Sequence, residues 1–444
     1  MFQRMPPLWL RIVGLVALVI VLGLAMALVI VQLRGPRLEV VRPVTIPEGE
    51  ADPAVWGLAF PREYESWLRS KEGRKTLYAG SVPFDKLEED PRLKILWEGH
   101  LFAVEWGEDR GHAYSVEDTL QSKRRQALAQ RRGGVTPGTC WSCKSADVPR
   151  LLEEMGPANF YAASFEKLHE EGKAKHPVSC ANCHDPKTMV PTIKQVALKE
   201  ALQKLGKDIN QLTRQELRSL TCAQCHVEYY FAKEPKDYLV FPWEKGTRFE
   251  DIEAYYNERK FADWTHPSTG VPLVKFQHPE YELYTANSTH YLAGVACADC
   301  HMPFVIEGGI KYTSHQSASP WYRMEQACGT CHLDIARVRK RVEIIQTNTK
   351  GLLDAAEIAL VEAVEALKAI KDNPNADPKL AEEARTLFRK AHMRWDFVAV
   401  ENSLGFHNPQ EAMRLLSESI NYARQAQLKA VQALQRPQAQ ALTP

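Results

Sequence analysis

The chain has 444 residues, a formal net charge of +1 and 25% charged side chains. That length supports a core well above the marginal size. The balanced charge excludes a nucleic-acid partner held by bulk electrostatic attraction.

In chain order, the first feature is an uncharged, almost wholly apolar run from Ile12 to Leu33. As a helix it would rise about 33 Å, enough to cross a hydrocarbon core of roughly 30 Å. An N-terminal membrane anchor over residues 1–35 is expected rather than a signal peptide, because the one small-residue pattern, Ala25-Met26-Ala27, lies inside the apolar run. Arg4 and Arg11 on one side and Arg34, Arg37 and Arg42 on the other do not orient it by charge. Residues 36–50, rich in Pro and charge, read as a linker.

The region 36–332 is aromatic-rich, broken by Pro and Gly, and shows little period-2 alternation. Short helices are expected at Val148 to Met155 and Ile193 to Leu205. All ten cysteines fall here in five CxxC pairs, Cys140/Cys143, Cys180/Cys183, Cys222/Cys225, Cys297/Cys300 and Cys328/Cys331. Four pairs are followed directly by histidine, namely His184, His226, His301 and His332, and the first by Lys144. CxxCH is the attachment signal for haem c, because two thiols add across the porphyrin vinyl groups and the next side chain reaches the iron. Zinc or dithiol chemistry would not require the trailing histidines. The expected fold is therefore mainly α, a multihaem cytochrome c domain packed around five haems. Haem c is attached outside the cytoplasm in bacteria, so the body should lie on the periplasmic side.

Past His332 the composition turns to Ala, Glu, Leu, Lys and Arg with apolar residues at helical spacing. Long C-terminal helices are expected at about 333–372, 379–404 and 410–435, broken by Asn373-Pro374, Asp377-Pro378 and Asn408-Pro409. This region, 333–444, either covers the haem domain or forms a dimer interface.

Electron-carrying haems take two protein ligands, whereas a reactive haem leaves one position open. Four further histidines would close the four CxxCH haems, and His112, His290, His315 and His407 are the candidates. His100, His169, His176, His266 and His392 are left as structural or surface residues. Lys144 can bind iron only as the neutral amine, although free lysine titrates near pH 10.4, so the metal and a buried site must drive its proton off. A lysine-ligated haem with an open face is a candidate catalytic centre.

The segments TCWSCKSADVPR, CANCHDP, CAQCHVEYYF, KFQHPEYE, CADCHMP and WDFVAVENSLGFHNP together resemble the pentahaem cytochrome c nitrite reductases, which reduce nitrite to ammonium, over roughly residues 56–435. The resemblance implies a catalytic trio of Arg124, Tyr229 and His278 around the Lys144 haem, with Arg125 adjoining the first. An anion fits such a trio, since a guanidinium and an imidazole supply positive field and hydrogen bonds. It also implies calcium held by Glu228 and Gln277 side chains and the carbonyls of Tyr229 and Lys275, all hard oxygen donors. The family pairs His315 with the Cys180/Cys183 haem, His112 with Cys222/Cys225, His407 with Cys297/Cys300 and His290 with Cys328/Cys331. A homodimer, and a quinol-oxidising membrane multihaem cytochrome as electron donor, are the implied partners. A non-catalytic electron-transfer cytochrome, or a relative acting on hydroxylamine or sulfite, is the alternative.

Overall fold

The structure is a computed structural model, and it describes residues 7–33 and 44–435 apart from positions 79, 81, 83, 108 and 109. It divides into two units, residues 1–45 and 46–444. In the first, Leu8–Leu33 is one helix, and its Ile12–Val29 stretch is long and apolar enough to cross a membrane. The flanking Arg4, Arg34, Arg37 and Arg42, and the linker expected at 36–50 as far as residue 43, lie outside the described residues.

The second unit opens with short helices. The expected helix at Val148–Met155 is present and stops at Gly156, whose φ of 73° is open to glycine at little cost. The next expected helix begins at Val196 rather than Ile193. The cause is Gln224, whose side-chain oxygen accepts from the backbone N–H of Lys194 and of Gln195 (2.5 and 2.9 Å) and holds that approach extended. Three antiparallel hairpins were not anticipated: Tyr230–Ala232 with Tyr238–Val240, Trp264–Thr265 with Pro272–Leu273, and Phe304–Glu307 with Ile310–Thr313. Each strand is too short to show alternation. The third does carry a signal, since Gly308-Gly309 supplies the two positive φ angles (58° and 77°) of a tight hairpin turn.

Three long helices follow, Ile335–Ile370, Pro378–Ala399 and Pro409–Leu434. Asp334, Asp377 and Asn408 cap them, each side chain accepting from a first-turn N–H, and Pro378 and Pro409 occupy first positions where no donor is needed. The middle helix ends at Ala399, not 404. Beyond it the Glu401 carboxylate accepts from the N–H of Ser403 and Gly405, and Leu404 and Gly405 take left-handed φ angles of 51° and 76°. Alanines at 356, 359, 363, 384, 391, 423, 426 and 430 let the helices approach closely around Leu360, Leu367, Phe388 and Leu416. Leu96, Trp97, Phe249, Ile252 and Tyr256 join the same apolar cluster, so one core spans residue 333. A second cluster gathers Trp141, Phe160, Tyr161, Phe165, Leu198 and Trp243.

At the first long helix, Asp90, Asp354 and Glu357 share Arg92, and Lys350 adds a second cation on Asp354. Three carboxylates against two cations leave a proton to be held. Burial, with Asp90 alongside, pushes the Glu357 carboxyl up to about 8, whereas Asp90, although burial opposes ionisation, is held at about 2 by Arg92. Because the Glu357 pKa is raised on folding, its stabilising effect is full below the unfolded value near 4.5 and is lost as pH rises to about 8. Glu357→Gln keeps an acceptor for the Trp395 indole N–H and should flatten the fall in stability between these pH values, read from denaturant midpoints across the range.

Candidate functional site

The CxxC motifs sit on single helical turns, which bring two thiols and the following side chain to one side of the backbone. In four of them the histidine turn is closed by an α-type bond to the first cysteine: His184, His226 and His332 N–H donate to the carbonyls of Cys180, Cys222 and Cys328 at 2.9, 3.0 and 2.8 Å, and His301 ends the helix Cys297–His301. The first motif differs. It lies on a 3₁₀ turn, Gly138–Trp141, and the Lys144 N–H reaches the Trp141 carbonyl at 2.8 Å. No disulfide joins any two of the ten cysteines.

The fifth motif differs from the other four in how far protein covers it. Nine cysteines are partly covered, but Cys331 is exposed, and so are His332 and Leu333 after it. The physical reason is its place in the chain. The backbone leaves Cys331 straight into the Asp334 cap and the long helix Ile335–Ile370, and the one side-chain contact of its Sγ is the neighbouring Thr330 hydroxyl at 3.9 Å. The Cys328/Cys331 motif therefore lies where the haem region passes into the long helix.

Each CxxCH histidine faces one of the four expected partners. Ring centres are 6.0 Å apart for His184 and His315, 6.4 Å for His226 and His112, 6.1 Å for His301 and His407, and 6.3 Å for His332 and His290. A metal–imidazole bond is about 2 Å, and adding the distance from nitrogen to ring centre puts two rings on one metal about 6 Å apart. The spacing therefore fits haem iron. Orientation agrees: Nδ1 of His184, His301 and His315 lies against the carbonyls of Met189, Ala318 and Thr313 (2.9, 3.1 and 2.8 Å), and that of His112 against Ser317 Oγ (3.3 Å). A carbonyl partner requires Nδ1 to carry the proton and leaves Nε2 as the metal-binding atom.

His226 has a second ring neighbour, His278, at 6.3 Å. The two are distinguished by Glu280, a buried carboxylate 3.9 Å from Nδ1 of both His226 and His278. His278 thus lies towards the Nδ1 edge of His226, and the Nε2 edge remains for His112. Asn402 Nδ2 donates to Glu280 Oε1 at 2.8 Å and holds it there.

Around the first motif, burial pushes the Tyr229 hydroxyl up, with the thiols of Cys143 and Cys140 adding to the effect and Arg124 opposing it, so these groups share one neighbourhood. Lys144 in turn acts on Cys143, Cys225 and His226. Arg124 lays its guanidinium over the Phe102 ring at 3.9 Å, and its buried NH1 has no hydrogen-bond partner. Arg125 is spent on structure, with Nε and NH2 donating to the Thr119 and Leu120 carbonyls and NH1 to Glu166 (3.0, 3.1 and 3.1 Å). The buried Nδ1 of His278 also lacks a partner.

The proposed calcium donors converge as well. Gln277 N–H donates to Glu228 Oε2 at 2.7 Å, and its side-chain amide reaches the Lys275 carbonyl at 3.0 Å. Glu228 is fully buried and also accepts from the Tyr256 hydroxyl at 2.7 Å. The Lys275 side chain points elsewhere: its buried ammonium donates to Asp396 Oδ1 and the Phe276 carbonyl (2.9 and 2.7 Å) over the Trp97 and Phe102 rings. A buried carboxylate, a backbone carbonyl and a side-chain amide are the hard oxygen set calcium takes. Turning the nearly isosteric Gln277 amide end for end would present its oxygen.

The five remaining histidines are structural, as expected. His100 caps a turn at Phe102 N, His169 bonds Ala174 O, His176 bonds Asp147, and His266 and His392 bond the carbonyls of Ile95 and Leu96. Glu280, Asn402, Asp396 and Glu401 were missed by the sequence reading. No motif spacing marks them, because each acts on a partner chosen by the fold.

A mostly helical chain with five thiol pairs on helical turns and four opposed imidazole pairs is a multihaem c-type cytochrome. More specifically, residues 52–443 match the cytochrome c552 family, and the chain belongs to it. It is 40% identical over 377 residues to cytochrome c-552 of Parabacteroides distasonis, covering 84% of this chain and 75% of that one. It is 38% identical over 414 residues to the cytochrome c nitrite reductase subunit NrfA of Nitratidesulfovibrio vulgaris, covering 85% and 78%. The cytochrome c nitrite reductase structure from Desulfovibrio desulfuricans, described with two calcium sites, superposes with a TM-score of 0.83 at 36% identity, over 88% of each chain.

Lys275→Met would leave Asp396 as a buried, unpaired carboxylate. It should destabilise the protein by about 3–5 kcal/mol, seen as an earlier unfolding transition in denaturant.

Proposed function

We propose that this protein is an ammonia-forming nitrite reductase, working at a lysine-ligated haem c supplied by four bis-histidine haems. What supports the reading is the shared neighbourhood of Tyr229, Arg124 and the cysteines of the one CxxC motif that ends in lysine, with a buried Arg124 N–H that has no protein acceptor. A pure electron carrier gains nothing from an unsatisfied buried guanidinium N–H, whereas an anionic substrate would satisfy it.

Haem would attach at each cysteine pair, with Lys144 as the protein ligand of the first. The second to fifth haems would be held by His184 with His315, His226 with His112, His301 with His407, and His332 with His290. When bound, the haems supply iron for substrate binding and a store of electrons. Nitrogen passes from +3 in nitrite to −3 in ammonium, so nitrite takes up six electrons and eight protons and releases ammonium and two waters.

The protein's own groups bind the anion and move protons. Arg124 attracts nitrite and fixes an oxygen. His278, with Glu280 behind its Nδ1, presents its other nitrogen as a proton donor. Tyr229, kept neutral by burial, donates a hydrogen bond. Calcium on Glu228, Gln277 and the Tyr229 and Lys275 carbonyls ties together the two segments that carry Tyr229 and His278, a positional role. The Leu8–Leu33 helix tethers the body to the outer face of the bacterial cytoplasmic membrane, where haem c is attached. A quinol-oxidising membrane multihaem cytochrome supplies electrons. A homodimer forms through the long helices, which leave Ile344, Ile358, Leu428 and Val431 exposed.

Lys144→His should retain five haems and change nitrite turnover by at least about tenfold, a difference of roughly 1.4 kcal/mol in the barrier; unchanged turnover would remove the special role of lysine. His278→Ala should slow reduction by about 10²–10⁴-fold, the usual worth of a positioned proton donor, without removing a low-spin haem signal.

A further inference from the structure

The eight paired histidines differ in what holds their Nδ1 atoms. Three rest on backbone carbonyls and one on a serine hydroxyl. For His226 the nearest carboxylate, Glu280, stands 3.9 Å away, beyond hydrogen-bond distance. Of the eight paired histidines, His407 alone shows among the described residues a carboxylate in direct hydrogen-bond contact with Nδ1, that of Glu401. Glu401 is buried and tightly held: Oε1 also accepts from Ser403 N–H at 3.0 Å, and Oε2 from Ser403 Oγ at 2.8 Å and Gly405 N–H at 3.4 Å. Ser403 Oγ in turn accepts from the His407 N–H at 2.9 Å, so the turn fixes both ends of the contact.

We propose that Glu401 is a positioning residue that makes the haem of Cys297 and Cys300 the most electron-rich of the four bis-histidine centres. A carboxylate drawing on Nδ1–H gives the imidazole partial anionic character and raises its basicity towards the metal. A carbonyl or hydroxyl does so far less, because a charge-assisted hydrogen bond is roughly twice as strong as a neutral one. Stronger donation favours the ferric state, and hydrogen bonding behind an axial ligand is one of the protein's means of setting haem potential. The haem between His301 and His407 is therefore the last of the four to accept an electron and the first to give one up.

The inference rests on the assignment of His407 as a ligand, and two variants separate the questions. Glu401→Gln retains the size and an amide oxygen for Nδ1–H while removing the charge. In a redox titration of the five-haem protein it should raise the ferrous-to-ferric ratio of one bis-histidine haem about tenfold at fixed potential, equivalent to about 59 mV for one electron, and leave the other three unmoved. Five bound haems with none displaced, or all displaced together, would overturn the proposal. His407→Gly should convert one low-spin haem to high spin; four unchanged low-spin haems would overturn the ligand assignment itself and the inference with it. Should Glu401→Gln not mature with five haems, the unaltered protein decides. One of its four ferric bis-histidine haems should show a near-infrared charge-transfer band displaced to higher energy, and four coincident bands would contradict the proposal.

Discussion

Two imidazoles can share one metal only with their centres about 6 Å apart and their Nδ1 edges turned away, and much of this chain is arranged to meet that condition four times. The pairs 112/226, 184/315, 290/332 and 301/407 overlap along the sequence, so no haem can be completed by a local segment. Each loop that delivers a distant histidine is itself held by a remote contact. Ser66 Oγ accepts from the His315 N–H at 2.8 Å, and the neighbouring Gln316 side chain donates to the Arg69 carbonyl at 2.7 Å. Attachment of haem and closure of the fold are on this view a single coupled process, as in other metal-dependent domains.

The long C-terminal helices do more than cover the haem region. From the end of the middle helix and the turn after it, four side chains reach the site. Asp396 holds Lys275, the Phe276 N–H and the Trp97 indole; Glu401 holds His407; Asn402 holds Glu280; and Asn408 caps the last helix while donating to the Leu283 and Ala286 carbonyls. The strap Lys275–Glu280, which carries His278 and two of the proposed calcium donors, Lys275 and Gln277, is thus fastened from behind by the segment 396–408. A shift of the helices, as at a subunit interface, would be felt at His278 through two buried polar contacts. These contacts are strong because they lie in a water-poor interior, and costly if half broken.

What was legible in the sequence was what chemistry marks locally. Cysteine spacing gave the haem count and picked out Lys144, and Asp377-Pro378 and Asn408-Pro409 marked helix starts to within a few residues. The four opposed pairs matched positions implied by family resemblance, since a lone histidine carries no sign of its partner. Tertiary contacts explain the errors. Gln224 delays a helix at 193–195, and Glu401 ends another at Ala399 by taking over its backbone donors. Buried carboxylates such as Glu280 and Glu401 read as ordinary surface charge until the fold shows which histidines they face. The ambiguity between Arg124 and Arg125 was likewise a question of packing, with one guanidinium consumed by Thr119, Leu120 and Glu166 and the other left with a buried N–H to spare.

The most direct measurement is the number of electrons taken per nitrite by the purified, chemically reduced five-haem protein, with ammonium determined in the same vessel. Six electrons and one ammonium per nitrite is the expected result. Five-haem protein that is not oxidised by nitrite, or that stops at a less reduced nitrogen product, would contradict an ammonia-forming site at Lys144.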